Sequence, residues 1–536
     1  SRNSFVFNNT ADENSFGSIS VYDFTMNTSG LQISRGNTGG NWIIGGNLVV
    51  NDGTIFFGSP NTNTFGTTSI GNVKVSGGSL NMDQSNQPMI ASGNVDISGG
   101  SLLLSGNSGG DIKVSGNWSH SGGTFTPSSR AVFLDAATGD QSITAAGGET
   151  FDYLIIDKAA GNVVLANDIN VSNGLTLTNG KINTGANKVI QPVSGTASRT
   201  NGYINGNLQR AVSNGNNDFF IGTSTVYAPA SLNMTGVSGP VDITSYLTAG
   251  VHPNEGSSTI DPAKKANHYW TLTKSGAGTF TSYTGTFNVA NTTNTGTVAN
   301  YKIAKFDSPS TWSAAGGSTT GNDVTSASFT SFSDFMAGEE ALPPPTISFT
   351  GTLPALSTTY GTPSSETSFD VSGADMTAGI LVTPPAGYEV SLTSGSGFGA
   401  TVTVGATGTI TSTPVYVRLK ADATVAGSPY SGNIVLSSAG ASPVNVPTIA
   451  STVSTAALTI TGLTGENKVY NGNTDATFTG TAAYSGLQNG EMPSVTGTPI
   501  ATFVSPNVGM GITINITGYT APNTNYTLTQ PTLSAN

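Results

Sequence analysis

Cysteine is absent from this chain of 536 residues, which excludes a disulfide framework and thiolate metal sites. Charge is scarce as well. Asp, Glu, Lys and Arg supply 9% of residues, against about 25% in an average soluble protein. Solubility must therefore rest on Ser, Thr, Asn and Gly. Basic clusters are missing: 18 Lys and Arg face 30 Asp and Glu, the net charge is −12, and Lys264-Lys265 is the sole basic pair. That balance argues against nucleic acid or an anionic membrane as partner. No run approaches the ~18 apolar residues of a membrane span. The first ten residues hold no basic segment followed by an apolar one. The expectation is that any export signal is already removed or lies outside this sequence. Heptads are missing and charged i,i+4 pairs nearly so, and with them any helix of useful length. Gly is plentiful at 69 residues but follows no three-residue period, so collagen is excluded. With 36% hydrophobic residues the chain is also unlike a disordered one, which joins little apolar content to high charge.

What is present is a repeat. Gly71 to Leu104 spells GNVKVSGGSLNM, a polar turn, then GNVDISGGSLLL. Each copy is an alternating apolar segment, a Ser-Gly-Gly corner and a second apolar segment. One such coil cannot bury its apolar face without a neighbour, which is the logic of a solenoid. Similar segments start at Asn47, Asn72, Asn94, Asp111 and Asp168, the first four with steps of 25, 22 and 17 residues. Alternation points Val73, Val75, Leu80 and Met82 inward and Lys74 and Asn81 outward, with Val95, Ile97, Leu102 and Leu104 stacked on the inner set. Gly77-Gly78 and Gly99-Gly100 are expected at corners, where positive φ is often needed and a Cβ would clash. Residues 1 to about 45 read as irregular first coils or a cap.

The period stops near Arg210. Residues 211–341 carry seven or so strand-like runs, the last being Ser326–Met336, which suggests an antiparallel sandwich. Ala341-Leu-Pro-Pro-Pro345 reads as a stiff linker. Residues 346–453 match an immunoglobulin-like sandwich in length and strand count, and 454–536 form another small β-domain. The fold class expected is all-β: a right-handed parallel β-helix over 1–210, then sandwich and Ig-like modules, in an elongated rod.

Three segments resemble modules of large surface proteins of Bacteroidetes-type bacteria. Gly116-Asn-Trp118 through Gly174–Ile182 is similar to a recurrent solenoid segment. Phe220-Ile-Gly-Thr223 with Tyr269-Trp270 looks like the sandwich that often follows it. Lys468-Val-Tyr-Asn-Gly-Asn-Thr474, Asn507-Val-Gly509 and Asn525-Tyr-Thr-Leu-Thr529 resemble the YDG repeat of giant adhesins, with Asn471 where that family usually has Asp. The resemblance implies export, commonly by the type IX secretion system, then surface display, adhesion, gliding or biofilm formation. It implies an extracellular surface or glycan as partner and the bacterial cell surface as location. A C-terminal sorting domain would accompany it, and none is visible in this sequence.

No catalytic, cofactor-binding or metal site is expected. Lys74, Asp96 and Lys113 are placed in one outward column. β-helix polysaccharide lyases array acids and bases on adjacent coils, so a β-helix carbohydrate-active enzyme or carbohydrate-binding protein is the alternative. No His, Arg or second carboxylate joins this column, which then reads as a surface ladder of roughly 0–1 kcal/mol per pair. Asp52, Asp83 and Asp135 fall in turns and read, like Asp370 and Asp375, as residues bonding their own backbone. A structural Ca2+ has no motif behind it. His120, His252 and His268 lack metal-ligand spacing. Trp42 and Trp118 are expected to fill coils rather than stack sugars. Of Tyr269-Trp270, one ring is expected in the sandwich core. Tyr470 and Tyr526 are expected in core or corner positions.

Overall fold

The computed structural model describes residues 4–7, 14–16, 18–35, 40–57, 68–82, 84–307, 309 and 311–536. Strands dominate these residues, and the helical content is three 3-10 turns of three residues each. The chain divides into two compact units, Ser1–Ala341 and Leu342–Asn536. The division falls at the proline-rich segment, where three ring-locked residues cannot join a sheet interior.

In the first unit the chain winds through three parallel faces. On the first, Ile19, Trp42, Thr68, Met89, Ile112, Val132, Leu154, Leu175 and Ala197 are successive Cα partners. One coil therefore takes 20 to 26 residues, the shortest step being Ile112 to Val132 and the longest Trp42 to Thr68. The second face stacks Phe24, Leu48, Val73, Val95, Trp118 and Ile143. The third stacks Ile33, Ile55, Leu80, Leu102 and Phe125. Every residue assigned inward by alternation, from Val73 to Leu104, is at most 1% exposed. Regular stacking already holds at Ile19, within the stretch expected to be an irregular cap.

Two repeat assignments are corrected by the pairing. Asp111–Val114 lies on the first face, between Met89–Ala91 and Val132–Leu134. Ile169 lies on the third face, between Glu149 and Val189. The true successor of Val95 is Trp118, and the 17-residue step disappears. The cause is that each coil carries three short alternating segments, and a period of two does not say which face a segment occupies.

The corners explain the glycines more by space than by dihedral. Of Gly77, Gly78, Gly99 and Gly100, only Gly100 has positive φ, at 64°. A Cβ at any of the four would lie 2.0–2.5 Å from a carbonyl oxygen of the preceding coil. At the corner before the second face runs an asparagine ladder. Asn47 Nδ2 donates to Asp23 Oδ1 (3.0 Å) and Asn72 Nδ2 to Asn47 Oδ1 (3.2 Å). The Asn94, Asn117 and Ser142 N–H groups then donate to Asn72, Asn94 and Asn117 Oδ1 at 2.7–2.8 Å.

Further along, Lys158 lies inside the corner, 2% exposed, with Nζ donating to Gln141 Oε1 at 3.1 Å. Burial pushes its ammonium pKa down from 10.5, partly offset by Asp140 and Asp135. The unfolded chain thus holds this proton more tightly, and stability rises with pH between the folded value and 10.5. Lys158→Met is expected to keep stability within about 1.5 kcal/mol of the parent, because the Ala136 N–H still satisfies Gln141 Oε1 (3.0 Å). It should also remove the parent's gain on alkalisation. Urea midpoints at neutral pH and near pH 10 check both, and an unchanged alkaline gain in the variant would refute the assignment.

The solenoid does not end on a free edge. Tyr203–Ala211 pairs in parallel with Lys181–Gln191 and antiparallel with Asp242–Ala249, so the ladder runs on into the sandwich sheet. An open coil edge would otherwise offer unpaired N–H and C=O groups to other chains. The sheet continues through Ile260–Ser275, Asp334–Glu340 and Lys302–Asp307 and faces a second sheet of five strands. The run Ser326–Met336 is two strands, Asp323–Phe329 and Asp334–Glu340, not one. One buried cluster extends from Ile19 to Ala337.

The second unit begins with a sandwich of four and five strands. Within it Ser357–Thr359 pairs in parallel with the end of Val444–Ser454. The next strand, Ala456–Gly465, starts after a single residue, and Ala456, Leu458 and Tyr526 belong to the sandwich's own core. The last module, two three-stranded sheets, is thus fused to its neighbour. Tyr360 packs edge-on against Tyr526 at 5.5 Å, and the Val425 N–H donates to Asn525 Oδ1 at 2.9 Å.

Candidate functional site

At the end of the last module away from Tyr526, three chain segments meet. They are the connection from Ala456–Gly465 to Phe478–Ser485, the connection from Thr496–Phe503 to Ile512–Thr520, and the end of Thr532–Ala535. Short polar side chains shape the first: Asn471 Oδ1 accepts the Asn473 N–H (3.2 Å), and Asn473 Oδ1 accepts the Asp475 N–H (3.3 Å). These are Asx-turns, which replace ladder bonds with local ones. Lys468 ties the loop down, its Nζ donating to Asp475 O at 2.8 Å and to Asn473 Oδ1. Asn536 ties the segments together: its O accepts the Lys468 N–H (3.1 Å), and its Oδ1 accepts the Gly511 N–H (2.6 Å).

These segments enclose a pocket of about 80 Å³. Its wall alternates apolar groups (Val469, Tyr470, Val508) with amides (Asn471, Asn473, Asn507). The apolar groups are left in solvent to an unusual degree: Val469 is 90% exposed, Val508 81%, Tyr470 66%, and the adjoining Met510 90%. Large apolar side chains gathered at one place are the mark of an interaction surface, whereas single ones need no explanation. The pocket wall carries one cationic side chain, Lys468, and no Asp or Glu side chain. The arrangement can hold an apolar group by contact and orient it through amides.

Residues 454–533 match the model of the YDG domain. No curated protein matches the chain. Two of the three YDG-like segments, Lys468–Thr474 and Asn507–Gly509, contribute to the pocket of this domain. Tyr526, from the third segment, is 5% exposed and sits in the core, as expected. Tyr470 departs from expectation. It lies outside any strand in residues 466–473, so no facing sheet covers its ring.

The other singled-out residues are scattered. Lys74 and Asp96 are Cα partners, with Val49 and Ser119 on either side. Lys113 is not in that column. It is on the first face between Ile90 and Phe133, its Nζ 5.3 Å from the Phe133 ring. Asp52 does bond its own turn, accepting the Gly53 N–H at 2.7 Å. Asp135 reaches across coils instead and accepts from Ser115 Oγ at 3.1 Å. Asp83 lies outside the described residues. Asp370 is in a strand opposite Thr350, and Asp375 has φ 56°. Among the described residues no three His, Asp or Glu side chains gather as a metal site.

Trp42 and Trp118 are fully buried, as expected. Trp270 is buried and donates to Ala228 O at 2.9 Å, while Tyr269 is half-buried beside His252. His252 Nδ1 accepts the Asn254 N–H (3.1 Å), and Nε2 bonds Asp334 Oδ2 (2.9 Å). Rings of Tyr269, Phe306 and Trp312 surround it at 4.9 Å. This histidine is a satisfied core residue. Burial holds the His268 imidazole below its usual pKa.

The sequence reading missed Glu149. It is 5% exposed and lies where the third face is interrupted, since no ladder bond joins residues 124–126 to 149–151 among the described residues. Its Oε2 accepts from Trp118 Nε1 (2.8 Å) and bonds His120 Nδ1 (2.9 Å), and its Oε1 accepts the Thr150 N–H (3.0 Å). A lone Glu between Gly148 and Thr150 carries no sequence signal for this pairing. The partners lie 29 and 31 residues back.

Proposed function

We propose that the chain is part of a secreted or surface-displayed bacterial adhesin or structural stalk, and that the YDG loop face grips a protein on an extracellular surface. The observation that carries the reading is the exposed set Val469, Tyr470 and Val508 around one pocket, with exposed Met510 following the pocket residue Gly509 in the chain. A face left so apolar in a chain with 9% charged residues favours partner binding over mere solubility. The hydrogen-bonded coils supply a stiff support, because bending them strains parallel ladders on three faces at once. Export by the type IX system and a part in gliding or biofilm formation belong to the same reading, through the resemblance to Bacteroidetes-type surface proteins. No catalytic role is assigned to it.

The test is adhesion of protein-coated beads to intact target surfaces. The double variant Tyr470→Ser, Met510→Ser is expected to weaken attachment about tenfold, equivalent to about 1.4 kcal/mol. Its unfolding midpoint should stay unchanged, since both side chains are largely in solvent. Protease treatment of the target should abolish attachment, and periodate oxidation of its glycans should not. Undiminished binding by the double variant would overturn the assignment of the face. Loss on periodate treatment alone would replace the protein partner by a glycan.

A further inference from the structure

We propose that Asn471 is a self-modification site, converted by its own backbone to an acidic residue at the lip of the YDG pocket. The chain holds seven Asn-Gly pairs. In such a pair the glycine nitrogen can reach the side-chain amide of the asparagine, because no Cβ obstructs the approach. At position 471 the Gly472 nitrogen attacks Cγ. A Cγ–N bond forms, the amide nitrogen leaves as ammonia, and a five-membered imide remains. Water then opens the imide at either carbonyl, giving aspartate or isoaspartate. The balance is one water consumed and one ammonia released, with no redox partner.

Four features select this pair. Asn471 and Gly472 are exposed and outside any strand. Gly472 has φ 79°, and a Cβ there would meet nothing within 4 Å, so no neighbouring atom obstructs the approach of its nitrogen. No hydrogen bond among the described residues uses the Gly472 N–H. The Asn473 N–H donates to Asn471 Oδ1, the oxygen that gains negative charge as the ring closes, and the Lys468 ammonium is held on the neighbouring Asn473 Oδ1. A donor and a cation aimed at developing charge lower the barrier, as in an oxyanion hole.

The other six pairs are restrained. Asn173 and Asn205 lie within strands. Asn179 and Asn201 are locked in a ladder, Asn201 Nδ2 donating to Asn179 Oδ1 (3.0 Å) and Asn179 Nδ2 to Asp157 Oδ1 (2.8 Å). Asn214 Oδ1 accepts the Val237 N–H at 2.8 Å, and its glycine opens the strand Gly215–Phe219. Asn489 is pinned by Nδ2 to Ala421 O at 3.3 Å. The reaction puts a side-chain carboxylate beside Lys468 in a pocket wall lined by no Asp or Glu, a one-way change of charge at the Asn-Gly pair of the YDG loops 466–477 and 504–511.

The experiment is incubation of the full chain in mildly alkaline buffer made with 18O-water, followed by peptide mass mapping. The peptide holding position 471 is expected to take up label at least tenfold faster than that holding Asn489. Lys468→Met should slow position 471 severalfold and leave Asn489 unchanged. In urea the two rates should converge, because the selection comes from the fold. Equal rates at 471 and 489 in the native chain, or a Lys468→Met rate equal to the parent's, would overturn the proposal.

Discussion

Replacing Trp118 by alanine is expected to destabilise the first unit by about 4–6 kcal/mol. The indole is fully buried and touches Phe125 and Phe151 edge-on, with ring centroids at 4.8 and 5.5 Å. It fills the solenoid where the third face lacks ladder bonds, so the coils above and below cannot close over a cavity by strengthening existing pairs. Its Nε1–H also donates to Glu149 Oε2. Truncation therefore leaves a hole and deprives a buried carboxylate of one of its donors. Trp118→Phe separates the two effects. It keeps most of the ring contacts and loses the donor, which costs about 1–3 kcal/mol. All four tryptophans lie in Ser1–Ala341, so their fluorescence follows unfolding of this unit alone. If alanine and phenylalanine proved equally costly, packing would not be the main term and the reading of the interrupted face would be wrong.

That interruption shows where the sequence stops being legible. The coil itself was plain from GNVKVSGGSL and GNVDISGGSL, because two copies share face, spacing and corner. DIKV at Asp111 has the same alternation, yet it occupies another face. Asn72 and Asn94 accept the N–H of the next coil at one corner, Asp111 accepts the Ala131 N–H at another, and Asp23 serves the asparagine corner too, so the side-chain type does not tell the corners apart. Alternation specifies inside against outside and nothing more. The candidate site was legible in a different sense. Its segments stood out as YDG-like, but Tyr470 read from sequence as a core or corner residue. Burial depends on whether a second surface arrives, and residues 466–473 and 504–511 lie outside the strands of both YDG sheets. Glu149 was beyond reach because its partners are set by a gap in pairing, which leaves no trace in local composition.

Gly100→Ala is expected to cost about 3–5 kcal/mol, nearly as much as losing a buried aromatic, although it adds one methyl group. Two penalties coincide there. With φ at 64° a Cβ strains the residue's own backbone by about 1–2 kcal/mol. The same Cβ would stand 2.0 Å from Gly78 O and 2.7 Å from Gly77 C, both backbone atoms of the coil before. Backbone cannot rotate away as a side chain would, so the coils must part and weaken ladder bonds on the flanking faces. Gly78→Ala isolates the second penalty: it meets Gly53 O at 2.5 Å without positive φ, and should fall short of Gly100→Ala by about 1–2 kcal/mol. Gly106→Ala completes the series, with nothing within 4 Å and no positive φ, and should lie within about 0.5 kcal/mol of the parent. Urea unfolding followed by tryptophan fluorescence orders the three. The order Gly100, Gly78, Gly106 identifies backbone approach between coils as what fixes glycine at these corners. A Gly78 variant as stable as the Gly106 variant would leave dihedral preference as the sole cause.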